Sequence, residues 1–345
     1  MSLVTMVDLL VIGGGPAGLS AALTFSRLKR SCVLYDSGLY RNAGVAHSHT
    51  ISGFENADPD DFRSKMRQDL KDYYSDTLEY RKGLITSLKK SDGGFKASDD
   101  QGRDVVARKV VLATGLKDHL PDIEGVTEQW GKRIIHCIFC HGTETANLPF
   151  AFLFTKSNSY MNARLVDTML KLWRSLKHTD RYILTDGMDV ETEQGRKDAG
   201  LEEQYDLIKK LGYKIVSSKI TSVKENSEKT SLEIKFDNHD PISVPNMLLF
   251  PERFTPSSDA APLLTEELLG AQLQAWGTIA PPSSGLGASG MPPRMGDDPK
   301  TNVRGLFWAG NSGSAAANYT ISLAQGQAAG GMAGDQLGED DLAKL

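Results

Sequence analysis

Cysteine is scarce in this sequence, and neither sign of charge is in large excess. Three of the 345 residues are cysteines, too few for the disulfide framework of a secreted domain, so we expect a reducing, cytoplasmic location. The 39 basic and 44 acidic residues form no basic block and no acidic tail, which argues against nucleic acid and membrane surfaces as partners. The first six residues lack the plan of a secretion signal, and the apolar run over residues 7–12 is too short to span a bilayer.

Two of the three cysteines stand in one motif, Cys137-Ile138-Phe139-Cys140. Cysteines separated by two residues can close a small disulfide that exchanges with thiols. No second Cys or His pair lies at metal spacing, so we expect no metal site. A structural disulfide is the alternative, but so short a loop removes little chain entropy, which favours a working redox pair.

A strand, a glycine-rich turn and a helix open the chain. The apolar run ends at Ile12 and leads into Gly13-Gly14-Gly15-Pro16-Ala17-Gly18, and an Ala/Leu-rich helix follows over 19–28. In this pattern the glycines allow a tight turn, the approach of a pyrophosphate, and close packing of helix on strand. A second strand ends at Asp36, where an acidic residue meets a ribose hydroxyl. We therefore predict a dinucleotide site, the alternative being a glycine turn without a ligand.

Three later segments carry groups suited to the same cofactor. A polar loop after Asp36 offers Arg41 to phosphate charge, with a solvated loop as the alternative. A buried strand ends in the small-residue turn at 113–115, and another leads into a turn and a helix that begins near Tyr319. The N-terminus of that helix can stabilise negative charge on a cofactor. The predicted cofactor-binding residues in these segments are Arg41, Asn42, His49, Ala113, Gly115, Gly310, Asn311, Asn318 and Tyr319.

Together these motifs resemble the low-molecular-weight thioredoxin reductases. They are even more similar to relatives that oxidise dithiols of small metabolites, the gliotoxin- and holomycin-type disulfide-forming flavoenzymes of secondary metabolism. The resembling pieces are residues 13–18, Arg41-Asn42, 113–115, His136-Cys137-Ile138-Phe139-Cys140-His141-Gly142-Thr143-Glu144, and 305–311 with the helix after it. An aspartate usually stands at Asn311 in that family, and asparagine keeps its hydrogen bond while dropping one charge.

The resemblance implies an α/β fold of two Rossmann-like dinucleotide-binding domains, and the length of the chain also favours two domains. An FAD-binding domain would comprise residues 1–119 and 251–345. An inserted domain of the NADPH-binding type, residues 120–250, would carry the Cys pair. Relatives of this kind are commonly homodimers. The Pro/Gly/Ser-rich stretch 280–299 is expected to form a long surface loop, which either covers a substrate pocket or is a tolerated insertion.

The second domain departs from the family pattern. Between a predicted strand at 150–154 and a predicted helix at 163–176, the connection 155–162 contains no glycine, so each residue adds a Cβ where a pyrophosphate needs bare backbone. The strand 182–185 is followed by acidic residues, each of which would repel a 2′-phosphate by about 1 kcal/mol. These are Asp186, Asp189, Glu191 and Glu193. We predict that NADPH binding is lost.

The predicted activity follows from these parts. By resemblance, Cys140 would lie against the flavin and Cys137 would exchange with the substrate, with His141 or His136 as acid/base and Glu144 as a possible partner of the motif. Without NADPH, O2 is the simplest electron acceptor, so we predict oxidation of a small-molecule dithiol with release of hydrogen peroxide. Two alternatives stay open: an NADPH-dependent thioredoxin or disulfide reductase, and a flavin-holding protein with a non-redox or binding role.

Overall fold

A computed structural model describes residues 6–155, 163–256, 279, 298–314 and 317–345 of the chain. Most of the predicted loop 280–299, and residues 156–162 of the glycine-free connection, lie outside these ranges. The chain divides into two compact units. The first comprises Met1–Arg41, Ile51–Lys117 and Phe254–Leu345, and the second comprises Asn42–Thr50 and Asp118–Arg253.

The strands of the described residues are, in chain order, β1 (Met6–Ile12), β2 (Cys32–Asp36), β3 (Leu78–Lys82), β4 (Ile85–Ser91), β5 (Gly94–Asp99), β6 (Asp104–Leu112), β7 (Leu116–His119), β8 (Ile134–Ile135), β9 (Phe150–Leu153), β10 (Arg181–Leu184), β11 (Lys214–Val216), β12 (Ile220–Glu225), β13 (Leu232–Phe236), β14 (Ile242–Val244), β15 (Asn246–Leu249), β16 (Arg253–Pro256) and β17 (Leu306–Trp308). The α-helices are α1 (Pro16–Ser26), α2 (Pro59–Tyr74), α3 (Val126–Gln129), α4 (Ile138–His141), α5 (Ala163–Trp173), α6 (Glu193–Ala199), α7 (Tyr205–Lys210) and α8 (Tyr319–Leu342). Short 3₁₀ turns cover Thr143–Thr145, Arg174–Leu176 and Gly310–Ser312.

The first unit is built on a sheet with the strand order β3-β2-β1-β6-β5-β4, and β17 pairs with β6. Neighbouring strands are parallel among β3, β2, β1, β6 and β17. Strand β5 runs antiparallel to its neighbours β4 and β6. Alternate side chains of β1 enter two separate cores: Leu10 and Ile12 join one, and Leu9 and Val11 join the other. Because successive side chains of a strand point to opposite faces, this sheet is buried on both sides.

Helix α1 packs closely against α8, and two glycines of α8 allow it. A Cβ on Gly326 would lie 2.2 Å from the carbonyl oxygen of Ala17, and one on Gly330 would lie 2.4 Å from that of Ala21. Larger residues would therefore push the helices apart. These two glycines therefore have a structural role.

The second unit contains a parallel sheet with the order β11-β10-β9-β15-β8 and an antiparallel sheet with the order β12-β13-β14. Side chains of β9 again alternate between two cores, with Phe150 and Phe152 in one and Ala151 and Leu153 in the other. The predicted α/β class is therefore confirmed in both units. Among the described residues, no helix combines the length and the apolar character that crossing a membrane requires.

Candidate functional site

The glycine-rich turn between β1 and α1 is closed by backbone contacts that side chains would prevent. Gly13 has a φ of +117°, and a Cβ on it would lie 2.2 Å from the carbonyl oxygen of Ala113. A Cβ on Gly18 would lie 1.9 Å from the carbonyl oxygen of Gly13. Both glycines are therefore required by the packing of the turn itself.

Gly15 differs from them, because the space in front of it is open. Its backbone is extended, with φ −75° and ψ 178°, and a Cβ built on it would meet no atom within 4 Å. Gly15 is the N-cap of α1, and Pro16 is the first helical residue. No side chain caps this helix end, and its first turn contains no acidic residue. The N–H groups of a first turn lack partners within the helix and favour an anion. The turn therefore fits a pyrophosphate, and Gly15 leaves the room for it.

Asp36 ends β2 against this turn. A Cβ on Gly14 would lie 2.0 Å from the carboxyl carbon of Asp36, which is 3% exposed. Its Oδ1 accepts a hydrogen bond from the N–H of Gly38 at 2.9 Å, and its Oδ2 accepts from the hydroxyls of Tyr40 and Tyr80, each at 2.7 Å. Burial is the main cause that raises the pKa of Tyr40, to about 12, and the hydrogen bond to Asp36 is the second cause. The two tyrosines were not identified from the sequence, and the contact of Asp36 with a ribose stays a prediction.

Ser312 connects the two other loops of the predicted cofactor site. Gly115, with a φ of +76°, donates its N–H to Ser312 Oγ at 3.0 Å, and Thr114 Oγ1 lies 3.3 Å from the same oxygen. The N–H of Ala113 donates to the carbonyl of Ile12 at 2.8 Å. A single serine in a loop follows no periodicity, so no sequence pattern singles out Ser312.

The turn after β17 is held by side-chain amides. The N–H of Gly310 donates to Gln325 Oε1 at 3.1 Å, while the buried Gln325 Nε2 has no hydrogen-bond partner among the described residues. Asn311 Nδ2 donates to the carbonyls of Ser314 at 2.8 Å and Ala317 at 3.2 Å. A buried, unsatisfied amide donor beside Gly310 is a group that a bound cofactor can satisfy.

The remaining predicted cofactor residues of the first unit have contacts within that unit. Asn318 Oδ1 caps α8 by accepting the N–H of the third helical residue at 2.9 Å. The ring of Tyr319 meets that of Phe62 edge-on, with 5.3 Å between centroids. The guanidinium of Arg41 lies 5.4 Å from the ring centroid of Phe254. Contact of these residues with a cofactor stays a prediction.

Cys137 and Cys140 are joined by a disulfide bond. Cys137 is the N-cap of the one-turn helix α4, and its carbonyl accepts the N–H of His141 at 3.2 Å. Gly142 ends this turn, and a Cβ on it would lie 2.4 Å from the carbonyl oxygen four residues earlier. The glycine of the motif is therefore required by packing. Within the described ranges, no cluster of His, Cys, Asp and Glu could hold a metal ion.

Three ionisable side chains of the second unit stand together at this motif: His141, Glu144 and His49. His49 Nε2 lies 3.2 Å from Glu144 Oε1, and the rings of His49 and His141 meet edge to face with 5.8 Å between centroids. Burial lowers the pKa of His141, Glu144 raises it, and His49 and His47 lower it further. At pH 7 most of His141 is therefore neutral and able to accept a proton.

The segment 42–50 groups with the second unit, although the sequence placed it with the first domain. Val45 Cγ2 would lie 3.3 Å from a Cβ on Gly131, and His49 pairs with Glu144. Two predicted cofactor residues, Asn42 and His49, thus belong to the unit that carries the disulfide. His49 and Glu144 are far apart in the sequence, so no spacing rule could have paired them.

His136 precedes the disulfide, and its ring stacks on that of Trp130 with 5.2 Å between centroids and 21° between planes. The other predicted acid/base residue, His141, lies in the cluster with Glu144 and His49. A catalytic role for His136 stays a prediction.

A buried histidine anchors the segment behind the disulfide. Thr145 Oγ1 donates to the carbonyl of Gly142 at 2.7 Å and lies 2.9 Å from His178 Nε2. His178 is 7% exposed and packs on the rings of Phe150 and Trp173. Burial, reinforced by a nearby arginine, lowers its pKa to about 4. His178 is therefore neutral at pH 7, and its Nε2–H donates to Thr145, a contact that the sequence did not indicate.

The acidic segment after β10 takes part in local structure. Asp186 Oδ1 accepts the N–H of Ile220 at 2.9 Å. Glu191 pairs with Lys209 at 2.9 Å and accepts from the hydroxyl of Tyr205. These carboxylates stand in the segment that follows β10, and a nicotinamide dinucleotide with a 2′-phosphate would need cations after this strand.

Comparison with known proteins shows what this chain is similar to. Residues 7–164 match the family model described as pyridine nucleotide-disulphide oxidoreductase. The chain is 45% identical over 146 residues to "Thioredoxin reductase tcpT" of Claviceps purpurea (strain 20.1), an alignment that covers 42% of this chain and 45% of that protein. It is 36% identical over 162 residues to "Thioredoxin reductase sirT" of Leptosphaeria maculans, which covers 47% and 50%. The chain thus spans about half the length of the curated relatives it matches.

The fold matches over almost the whole length. The crystal structure of HlmI superimposes with a TM-score of 0.77 and 26% identity, covering 98% of this chain and 95% of that one. The fold is therefore similar to the two-domain Rossmann architecture of thioredoxin reductase structures.

FAD is the predicted cofactor, and the groups of the first unit fit it. Gly15 leaves an open space at an uncapped helix N-terminus, which suits a pyrophosphate. The buried amide of Gln325 offers an unused donor beside Gly310. Asp36 lies behind the turn, where the adenosine ribose of a dinucleotide binds.

Proposed function

We propose that this protein is an FAD-dependent thiol-disulfide oxidoreductase that oxidises a small-molecule dithiol to a disulfide, with O2 as the final acceptor. The observation that carries the proposal is the Cys137–Cys140 disulfide next to a half-buried, mostly neutral His141. A disulfide with a proton acceptor at hand can react with a thiol near pH 7, because the thiolate is the attacking species.

The proposed reaction takes place at the two sulfurs. A substrate thiol loses its proton to His141, and the thiolate attacks Cys137 Sγ, which breaks the disulfide and leaves Cys140 as a thiolate. His141 returns its proton to the Cys140 thiolate and then takes the proton of the second substrate thiol. The resulting thiolate attacks the substrate sulfur bound to Cys137, which breaks that S–S bond and releases Cys137 as a thiolate that accepts the proton. The substrate leaves as a disulfide, oxidised by two electrons, and the cysteine pair is reduced by two. FAD, when bound, supplies the acceptor for those electrons.

Two features of the second unit support O2 rather than NADPH as the redox partner. The connection 155–162 contains no glycine to admit a pyrophosphate. The segment that follows β10 carries Asp186, Asp189 and Glu191, which would repel a 2′-phosphate. Without a nicotinamide partner, reduced flavin needs another electron acceptor, and O2 is the simplest one.

A second candidate is an NADPH-dependent disulfide reductase, and the printed names of the relatives favour it, since both tcpT and sirT are called thioredoxin reductases. The His141 position favours the oxidase instead. Reductases of the resembled family usually carry an aspartate there, whereas its dithiol oxidases deviate around the motif.

Peroxide formation separates the two candidates. With dithiothreitol as a generic small dithiol and no nicotinamide present, we expect O2 consumption and about one hydrogen peroxide per disulfide formed. The measurement is a peroxide assay alongside thiol titration. Steady oxidation of NADPH in the presence of a disulfide, without peroxide from the dithiol, would instead identify a reductase.

A further inference from the structure

The carboxylate of Asp36 lies beside the open space where the pyrophosphate fits. A Cβ on Gly14 would lie 2.0 Å from its carboxyl carbon, while the space in front of the neighbouring Gly15 is open. In a dinucleotide, the adenosine ribose is joined to the pyrophosphate by a methylene group. The ribose of a cofactor bound at this turn would therefore lie on the side of Asp36. No sequence pattern indicates which groups hold this carboxylate in place.

Two tyrosine hydroxyls hold one oxygen of the carboxylate. Oδ2 of Asp36 accepts a hydrogen bond from Tyr40 and another from Tyr80, each at 2.7 Å, so both of its lone pairs are used. Oδ1 accepts the N–H of Gly38 at 2.9 Å, the one hydrogen bond that it makes with the described residues. Since a carboxylate oxygen can accept two hydrogen bonds, Oδ1 keeps a place for one further donor.

The two tyrosines reach Asp36 from different segments of the first unit. Asp36 ends β2, Tyr80 lies in the adjacent strand β3, and Tyr40 lies in the loop after β2. The guanidinium of Arg63 lies 3.9 Å from the ring centroid of Tyr40, which fixes that ring further. Burial is the main cause that raises the pKa of both phenols, so both hydroxyls stay protonated and donate at neutral pH.

We propose that Tyr40 and Tyr80 are positioning residues for FAD, which hold Asp36 so that its Oδ1 accepts a hydroxyl of the adenosine ribose. This inference rests on the proposed function, because it takes FAD as the cofactor. All of the residues involved belong to the first unit, so the arrangement is complete within it. The two tyrosines act on the cofactor through Asp36.

Arg67 explains why both hydroxyls are needed. Its Nη1 lies 3.8 Å from Asp36 Oδ2, too far for a hydrogen bond but close enough to attract the carboxylate. Without one tyrosine hydroxyl, Oδ2 would keep an unused acceptor site in a buried position, which costs free energy. Asp36 would then turn toward the guanidinium, and Oδ1 would leave the place where it meets the ribose.

Competition between nucleotides tests this proposal without relying on activity. Binding of FAD to the flavin-free protein is followed by the quenching of flavin fluorescence, and ADP or 2′,3′-dideoxy-ADP is added as a competitor. The two competitors share the adenine and the pyrophosphate and differ in the ribose hydroxyls. The ratio of their inhibition constants therefore measures what the hydroxyls contribute. For the wild type we expect ADP to bind about tenfold more tightly, the effect of a hydrogen bond to a charged group.

Tyr40→Phe and Tyr80→Phe each remove one hydroxyl and keep the ring. We expect each variant to lower the ratio to about two or three, and FAD binding should weaken by the factor that the ratio loses. Asp36→Ala should bring the ratio to about one, and adding Tyr80→Phe to Asp36→Ala should weaken FAD binding no further. Tyr74→Phe is the matched control, since the hydroxyl of Tyr74 bonds Arg27 instead of Asp36.

A merely structural role for the tyrosines would weaken ADP and its dideoxy analogue equally. The ratio would then stay at the wild-type value in both tyrosine variants, and this outcome would overturn the proposal. A wild-type ratio near one, or losses that multiply in the double variant, would overturn it as well. If Asp36→Ala does not fold, the ratios of the two tyrosine variants still decide.

Failure of the proposed function gives a different result. In that case the wild type would bind no FAD, or the FAD-loaded protein would form no peroxide from a dithiol. FAD binding with normal peroxide formation, together with unchanged ratios in Tyr40→Phe and Tyr80→Phe, would overturn this inference alone.

Discussion

Cys137→Ser and Cys140→Ser are each expected to abolish dithiol-dependent reduction of the flavin. Both sulfurs take part in every turnover, because the substrate sulfur bonds to one cysteine while the other leaves. Serine keeps the size of the side chain and removes the exchange chemistry. We expect the rate to fall at least about a thousand-fold, to that of free flavin with the same dithiol. Stopped-flow absorbance under anaerobic conditions measures it.

The third cysteine provides the matched control. Cys32 lies in β2 and is 2% exposed, and burial raises the pKa of its thiol, so it is unreactive at neutral pH. Cys32→Ala should keep the rate of flavin reduction, with a small loss of stability from the vacated volume. Persistence of full activity in Cys137→Ser would show instead that the protein holds a flavin for a purpose other than thiol exchange.

Alanine at two glycines of the first turn should separate folding from cofactor binding. Gly13→Ala places a Cβ 2.2 Å from the carbonyl of Ala113 at a φ of +117°, so we expect it to destabilise the protein by at least about 2 kcal/mol. Gly15→Ala meets no atom within 4 Å and has an ordinary φ. The free energy of unfolding of Gly15→Ala should differ from that of the wild type by less than about 0.5 kcal/mol. The new methyl group would nevertheless stand in the open space where the pyrophosphate fits.

Two measurements on each variant check this pair. Urea unfolding of the flavin-free protein gives the stability, and the ratio of flavin to protein absorbance after purification gives the cofactor content. Gly15→Ala should unfold like the wild type and retain little FAD. If Gly15→Ala purifies with full FAD content, the pyrophosphate does not lie at this turn.

The strands and helices at the two ends of the first unit can be predicted from the sequence, because apolar runs, glycine turns and helix starts are patterns of neighbouring residues. The apolar run before Gly13 predicts a strand buried on both faces, and β1 is one. The helix begins earlier than the apolar stretch alone implies, at Pro16, because proline suits the first turn of a helix, where its missing N–H costs nothing. The strand, turn and helix at the C-terminal end follow the same logic, and α8 begins at the predicted Tyr319.

The polar partners at the site could not be predicted, because they arise from tertiary contacts between single residues. Asp36 is bonded by Tyr80 of the adjacent strand, and Gly115 by Ser312 from the far end of the chain. His49 reaches Glu144 because the segment 42–50 packs on the second unit, which no periodicity indicates. Spacing rules describe neighbours along one helix or strand, so they identify the reactive motif and miss what surrounds it.

Anaerobic reduction of the bound flavin tests the central claim most directly. The purified protein is mixed in turn with NADPH and with dithiothreitol, and the flavin absorbance near 450 nm is followed, roughly where oxidised flavins absorb. We predict rapid bleaching by the dithiol and none by NADPH. Rapid bleaching by NADPH, with no response to the dithiol, would contradict the account.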